Sequence, residues 1–238
     1  MTKNDFAEFV VLITGAAGGI GTAVSGAFEA RGATVYRTDL RPMNISRFIA
    51  GDVSDPAFAR SCIDRILSET GRLDVLVNNA GICPRTSIPA ITPEEWKQVL
   101  DVNLTSVFLF SQACMEPMTR QKSGCIVNLA SLAGKVGGIA VGAHYSASKA
   151  AIACLTKSFA RHGAAHGVRV NAVAPGIIRT EMTEVVSAED QAALLKSIPV
   201  GRFGTADEVA EVILFLASRA STYITGTTVD VNGGLLMD

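Results

Sequence analysis

Charge is scarce in this chain: Asp, Glu, Lys and Arg make up only 18% of its 238 residues and balance to a net charge of −1. That balance gives no general electrostatic pull toward nucleic acid or anionic membranes, and neither is expected as a partner. Long apolar stretches are also missing. The strongest runs, such as residues 212–217, fall far short of the roughly 20 residues a membrane-spanning helix needs. Cysteine is present but unpatterned. Cys62, Cys83, Cys114, Cys125 and Cys154 are odd in number and include no C-x-x-C pair, which argues against a disulfide framework and against a zinc site. They read as small buried thiols of a reducing compartment. The start, Met1 to Asp5, has no signal-peptide pattern, so a cytoplasmic location is expected. No proline-rich, serine-rich or charged linker divides the chain, and residues 1–238 are expected to form one domain.

What is present is core material, with 48% apolar residues. Residues 9–14 read as a buried strand that runs directly into Gly15-Ala16-Ala17-Gly18-Gly19-Ile20-Gly21. A helical pattern follows through Val24 and Phe28 and closes at Gly32. A second strand, residues 33–38, then ends at Asp39. This order gives the glycines a purpose. They let the backbone turn tightly and approach a pyrophosphate, whose charge rests on a helix N-terminus. Asp39, at the strand end, suits the adenosine ribose hydroxyls and repels a 2′-phosphate, so NAD is expected over NADP. Arg37 and Arg41 flank it and could pair with a phosphate; Arg37 could equally pair with Asp39.

Further strands are expected at residues 48–53, 73–78, 125–130, 168–174 and 228–231. Helices are expected at 56–70, 92–121, 145–166 and 206–218. The thirteen positions from Asp39 to Asp52 are too few for a crossover helix. Residues 181–200 read as a mobile segment. The alternation predicts an α/β fold, a doubly wound Rossmann-type parallel sheet with helices on both faces. Asp52 and Val53, then Asn79, Ala80 and Gly81 within Asn78-Asn79-Ala80-Gly81, fall at strand C-termini, where ligands of parallel sheets collect. Asn103 interrupts the apolar face of the 92–121 helix, so it is either solvent-facing or employed.

Tyr145 and Lys149 stand four apart in a helical stretch, which places them on one face with Cβ atoms roughly 5–6 Å apart. A nearby ammonium favours phenolate and makes such a pair a proton-transfer device. Alone, the spacing more often marks a surface tyrosine beside a solvated lysine.

Taken together, Thr14-Gly15-x-x-x-Gly19-x-Gly21, Asn78-Asn79-Ala80-Gly81, Asn103, Ser131, Tyr145-x-x-x-Lys149 and Pro175-Gly176 resemble the motifs of the short-chain dehydrogenase/reductase family, in its order and over nearly the whole chain. The resemblance implies that Tyr145 is the general acid/base, its pKa lowered by Lys149, which also holds the nicotinamide ribose. Ser131 would bind the substrate oxygen, and Asn103 a water leading from Lys149 to solvent. Pro175, Gly176, Ile178 and Thr180 would meet the nicotinamide carboxamide, with Ile20, Asn79 and Gly81 along the cofactor. No metal is implied. Ala17 and Leu40 occupy places where NADP-preferring members carry a base.

The texture is similar to 3-oxoacyl-carrier-protein reductases and to polyol and secondary-alcohol dehydrogenases. The reductases' carrier-docking arginines are replaced here by Cys125 and His166, and the stretch after Asp39 is short. These departures make an NAD-dependent secondary-alcohol dehydrogenase or ketone reductase the leading expectation, with a 3-oxoacyl-carrier-protein or 3-oxoacyl-CoA reductase as alternative. A non-catalytic nucleotide-binding protein is a remote third. Substrate-pocket candidates are Ile82, Cys83, Arg85, Leu132, Ile139, Val141, His144 and residues 181–186. His144, a helix neighbour of Tyr145, is expected to pack away from it. The family resemblance implies a homotetramer, with a dimer as alternative.

Overall fold

The computed structural model describes residues 5–138, 141–180 and 194–238. Their strands form a single seven-stranded sheet of order β3-β2-β1-β4-β5-β6-β7, and every neighbouring pair runs parallel. The strands are β1 (Val10–Thr14), β2 (Thr34–Asp39), β3 (Phe48–Ala50), β4 (Val75–Asn78), β5 (Gly124–Leu129), β6 (Val168–Pro175) and β7 (Thr228–Val231). The helices are α1 (Gly19–Glu29), α2 (Pro56–Thr70), α3 (Pro93–Leu100), α4 (Ser106–Gln121), a short α5 (Ala133–Val136), α6 (Ala143–Ala164) and α7 (Ala206–Ala217).

The two faces of the sheet follow from strand alternation. In β1, Val11 and Ile13 point to a core shared with Phe28 of α1 and Ile213 and Leu214 of α7. Val10 and Leu12 point the other way, toward Ile63 and Ile66 of α2 and Phe110 and Met118 of α4. Burial on both sides explains why the strands read as continuous apolar runs. The strand order reverses between β1 and β4, which opens a crevice at the C-terminal ends where ligands of such sheets bind.

Most expected elements are present with small changes at their ends. No helix joins β2 to β3, as the short spacing required. The third strand stops at Ala50, so Asp52 and Val53 lie in the turn beyond it. The 145–166 helix begins earlier, at Ala143. A short helix, α5, occupies part of the loop between Ser131 and Tyr145.

The single helix expected over residues 92–121 is instead divided. Asp101–Thr105 is a π-helical turn between α3 and α4. The reason is Asn103. Its Oδ1 accepts from the Ile82 N–H at 2.8 Å, and its Nδ2 donates to the Ile82 carbonyl at 2.9 Å and to Ser148 Oγ at 3.1 Å. A side chain anchored to another segment's backbone accommodates the wider turn, a feature often found at functional sites. Of the segment expected to be mobile, residues 181–193 lie outside the described part of the chain, as does Ile139.

Candidate active site

The strand C-termini surround one cleft of about 1480 Å³. On its β1 side, Gly15 turns with φ +65°, and a Cβ there would sit 2.6 Å from the Ala80 Cα, so the loop closes against the Asn79-Ala80 turn only as glycine. Asn79 reinforces this closure, its Nδ2 donating to the carbonyls of Thr14 and Gly15 at 3.0 and 2.8 Å. Thr14 Oγ1 accepts from the Asn79 and Ala80 N–H groups at 3.0 and 3.1 Å. Helix α1 has no side-chain cap at Gly18, and Gly18, Gly19 and Ile20 line the cleft. Its orphan N–H groups and positive dipole end therefore suit a phosphate there. Gly21 was expected among the cofactor contacts, but it lies beneath the loop. A Cβ at Gly21 would meet the Gly15 carbonyl oxygen at 2.2 Å, so this glycine lets α1 pack closely beneath the loop.

Asp39 lines the cleft at the end of β2 and holds the loop, accepting from the Ala17 N–H at 3.1 Å and the Arg41 N–H at 3.2 Å. Arg37 is buried and paired with Glu29 at 2.6 Å. It meets neither a phosphate position nor Asp39, because the α1 carboxylate reaches it first. Asp52 and Val53 also line the cleft, as do Asn79, Ala80, Gly81, Pro175, Gly176, Ile178 and Thr180. Loop, acid and uncapped helix end fit a dinucleotide.

At the other end, Ser131, Tyr145 and Lys149 share the wall. Helix α6 carries the last two one turn apart, with Lys149 Nζ 5.7 Å from the Tyr145 ring centroid. Lys149 is buried, and its ammonium donates to the Leu129 carbonyl at 2.6 Å. Burial lowers its pKa to about 8. The Tyr145 phenol moves the opposite way from expectation. Burial, reinforced by the nearby Cys83 thiol, raises it to about 12, against the opposing effect of a hydrogen bond with Ser131. In this protein alone the lysine does not offset the phenol's loss of water. Asn103 is wholly buried behind the wall; its Oδ1 and Lys149 Nζ lie 3.2 and 3.6 Å from where a Gly81 Cβ would stand.

Of the pocket candidates, Ile82, Cys83, Arg85, Leu132 and Val141 line the cleft. Burial raises the Cys83 thiol, with Lys149 and Arg85 opposing, as befits a packing thiol. His144 is buried outside the cleft lining. Among the described residues no group of three or more His, Cys, Asp or Glu could hold a metal ion, and no helix is long and apolar enough to cross a membrane.

A family model described as Enoyl-(Acyl carrier protein) reductase matches residues 15–236. The 3-oxoacyl-[acyl-carrier-protein] reductase FabG of Salmonella typhimurium is 40% identical over 238 residues, covering 96% of this chain and 97% of its own length. Its Escherichia coli counterpart is 39% identical over 243 residues, covering 98% and 99%. The chain belongs to the short-chain dehydrogenase/reductase family. It is an NAD(P)-dependent oxidoreductase acting on a CH–OH or keto group. The crystal structure of a Brucella melitensis 3-oxoacyl-[acyl-carrier protein] reductase superposes with TM-score 0.93 at 40% identity, over 99% of this chain and 94% of that one. A Brucella melitensis reductase with bound NAD gives TM-score 0.90 at the same identity and coverage.

Sequence reasoning missed some of the cleft. Leu235 near the C-terminus and Phe203 before α7 line it, yet neither is among the site candidates read from the sequence. The Leu129 carbonyl that receives Lys149 is backbone and leaves no trace in residue type.

Proposed function

We propose that residues 1–238 act as one dinucleotide-binding catalytic domain that reduces 3-oxoacyl thioesters to 3-hydroxyacyl thioesters with NADH. The observation that carries the substrate class is the near full-length 40% identity to a 3-oxoacyl-[acyl-carrier-protein] reductase. It favours the thioester alternative over a general secondary-alcohol dehydrogenase. Tyr145, its pKa raised by burial, is a phenol at neutral pH, the form that gives a proton in reduction and that oxidation regenerates.

A nicotinamide held in this cleft would supply the hydride for the keto carbon. Ser131 and Tyr145 donate hydrogen bonds to the keto oxygen and stabilise the negative charge developing there. Tyr145 then transfers its proton to the forming alkoxide, and the Lys149 ammonium stabilises the phenolate left behind. Asn103 holds the Ile82 backbone and Ser148, and it orders the water route by which Lys149 and Tyr145 regain a proton. Gly15, Gly19, Ile20, Asp52, Val53, Asn79, Ala80, Gly81, Pro175, Gly176, Ile178 and Thr180 hold the dinucleotide, with Gly21 supporting the loop from beneath. Asp39 favours NAD by receiving the ribose hydroxyls, and the engagement of Arg37 by Glu29 removes one possible phosphate partner. NADP is the weaker cofactor.

One observation favours a substrate not delivered by a carrier protein. Cys125 stands where the resemblance puts a carrier-docking arginine. It is buried, with its thiol on the Leu216 carbonyl at 3.3 Å, and offers a carrier no charge. The coenzyme A thioester is therefore the preferred form.

The test measures NADH and NADPH oxidation with acetoacetyl thioesters of coenzyme A and of a carrier protein. NAD reduction by a panel of secondary alcohols and polyols follows. The expected result is reduction of the coenzyme A thioester, faster with NADH than with NADPH. Turnover of polyols with none of either thioester would overturn the substrate assignment.

A further inference from the structure

Helix α6 carries Tyr145 in its first turn, yet nothing caps that turn through a side chain. Its N-cap is Gly142, whose own N–H donates to the Pro84 carbonyl at 2.9 Å. The space a Cβ would need at Gly142 is filled by the His144 ring, 2.2 Å away at Cε1 and 2.5 Å at Nδ1. His144 is fully buried, its Nδ1 has no hydrogen-bond partner among the described residues, and its Nε2 reaches a polar partner only at the long distance to Glu95. Its closest charged group is on α3, where Glu95 Oε1 stands 3.4 Å from Nε2. The same carboxylate oxygen accepts from Thr86 Oγ1 at 2.6 Å, and Thr86 follows the cleft-lining Cys83 and Arg85 by one to three positions.

A buried polar ring with one nitrogen unpartnered is unfavourable and calls for an explanation. A chain that needed only filler next to Tyr145 could place an apolar side chain there. Here an imidazole fills the space beside Gly142 at the start of α6, which itself holds the Pro84 carbonyl, and faces an α3 carboxylate that is bonded to Thr86 of the substrate loop. The ring therefore links the start of α6 directly to α3, and through Glu95 to the substrate loop, immediately before the proton donor.

We propose that His144 is a positioning residue for Tyr145, acting with Glu95 and Thr86 to set the first turn of α6 against α3 and the substrate loop. The inference rests on Tyr145 being the acid/base. It does not depend on which ketone is reduced, so it is tested on whichever carbonyl substrate the wild type reduces fastest. A displacement of about 1 Å in a reacting group can cost on the order of a hundredfold in rate. Removing one of several restraints is expected to cost about tenfold.

The experiment compares kcat, substrate KM and NADH binding in wild type, His144→Ala, Glu95→Gln and the double variant. The expected outcome is a fall of about tenfold in kcat for each single variant, unchanged NADH affinity, and a double variant no slower than His144→Ala, as for residues acting through one contact. Should His144→Ala prove unstable, Thr86→Val removes the hydroxyl that orients Glu95 and is expected to lower kcat in the same sense. Folded variants with kcat within twofold of wild type, or losses that multiply in the double variant, would overturn the assignment. Failure of the thioester assay with ketone reduction intact would overturn only the substrate class.

Discussion

Lys149 combines two properties that oppose each other: it must be charged to support a phenolate, and it is buried, which disfavours charge. The compromise is a pKa lowered from 10.5 to about 8 by burial, with the ammonium resting on the Leu129 carbonyl. The consequence for stability has a definite sign. Between pH 8 and 10.5 the unfolded chain holds this proton while the folded chain has released it, so stability rises with pH in that window. The contribution is complete above 10.5 and is lost as pH falls through about 8. Tyr145 acts only higher up, where its pKa of about 12 against an ordinary 10 makes stability fall as pH climbs past 10. Denaturant unfolding of the cofactor-free protein is therefore expected to show wild type gaining roughly 2 kcal/mol between pH 8 and pH 10 relative to Lys149→Met. Parallel pH profiles for the two proteins would contradict the buried-ammonium account.

At the level of elements, the π turn Asp101–Thr105 shows how a catalytic feature is built from an interrupted helix. Replacing Asn103 with Leu keeps a similar volume but strands the Ile82 N–H and carbonyl without the side chain that receives and serves them. A buried polar group left unsatisfied costs about 1–3 kcal/mol, so Asn103→Leu is expected to lower stability by at least about 2 kcal/mol and to reduce kcat. An unchanged unfolding midpoint would mean that the turn is not held by this side chain. The elements differ in how far residue order reveals them. The glycine loop, Asp39 and the Tyr145–Lys149 pair are visible because each depends on spacing within a few residues. The π turn depends on a partner 21 positions away in sequence. The capture of Arg37 by Glu29 of α1 likewise requires the folded helix beside β2. The rise in the Tyr145 pKa follows from burial, which residue order does not disclose.

For the whole molecule, low charge leaves apolar surface to be covered. Phe108 on α4 is 40% exposed and packs at 6.1 Å between ring centroids against Phe159 of α6. We propose that subunits join into a homotetramer through these two helices, around Phe108. Phe108→Asp places a charge on this face and is expected to shift the sedimentation mass from four chains to two or one, while a wild type already at one chain would exclude this interface. The central claim is that this protein reduces a keto group with Tyr145 as proton donor, and turnover of Tyr145→Phe tests it most directly. With NADH and acetoacetyl-coenzyme A, or the best ketone in its place, the variant is expected to bind cofactor as wild type does and to lose about 10²–10⁴-fold in kcat. A folded Tyr145→Phe protein that retains wild-type turnover would contradict the mechanism.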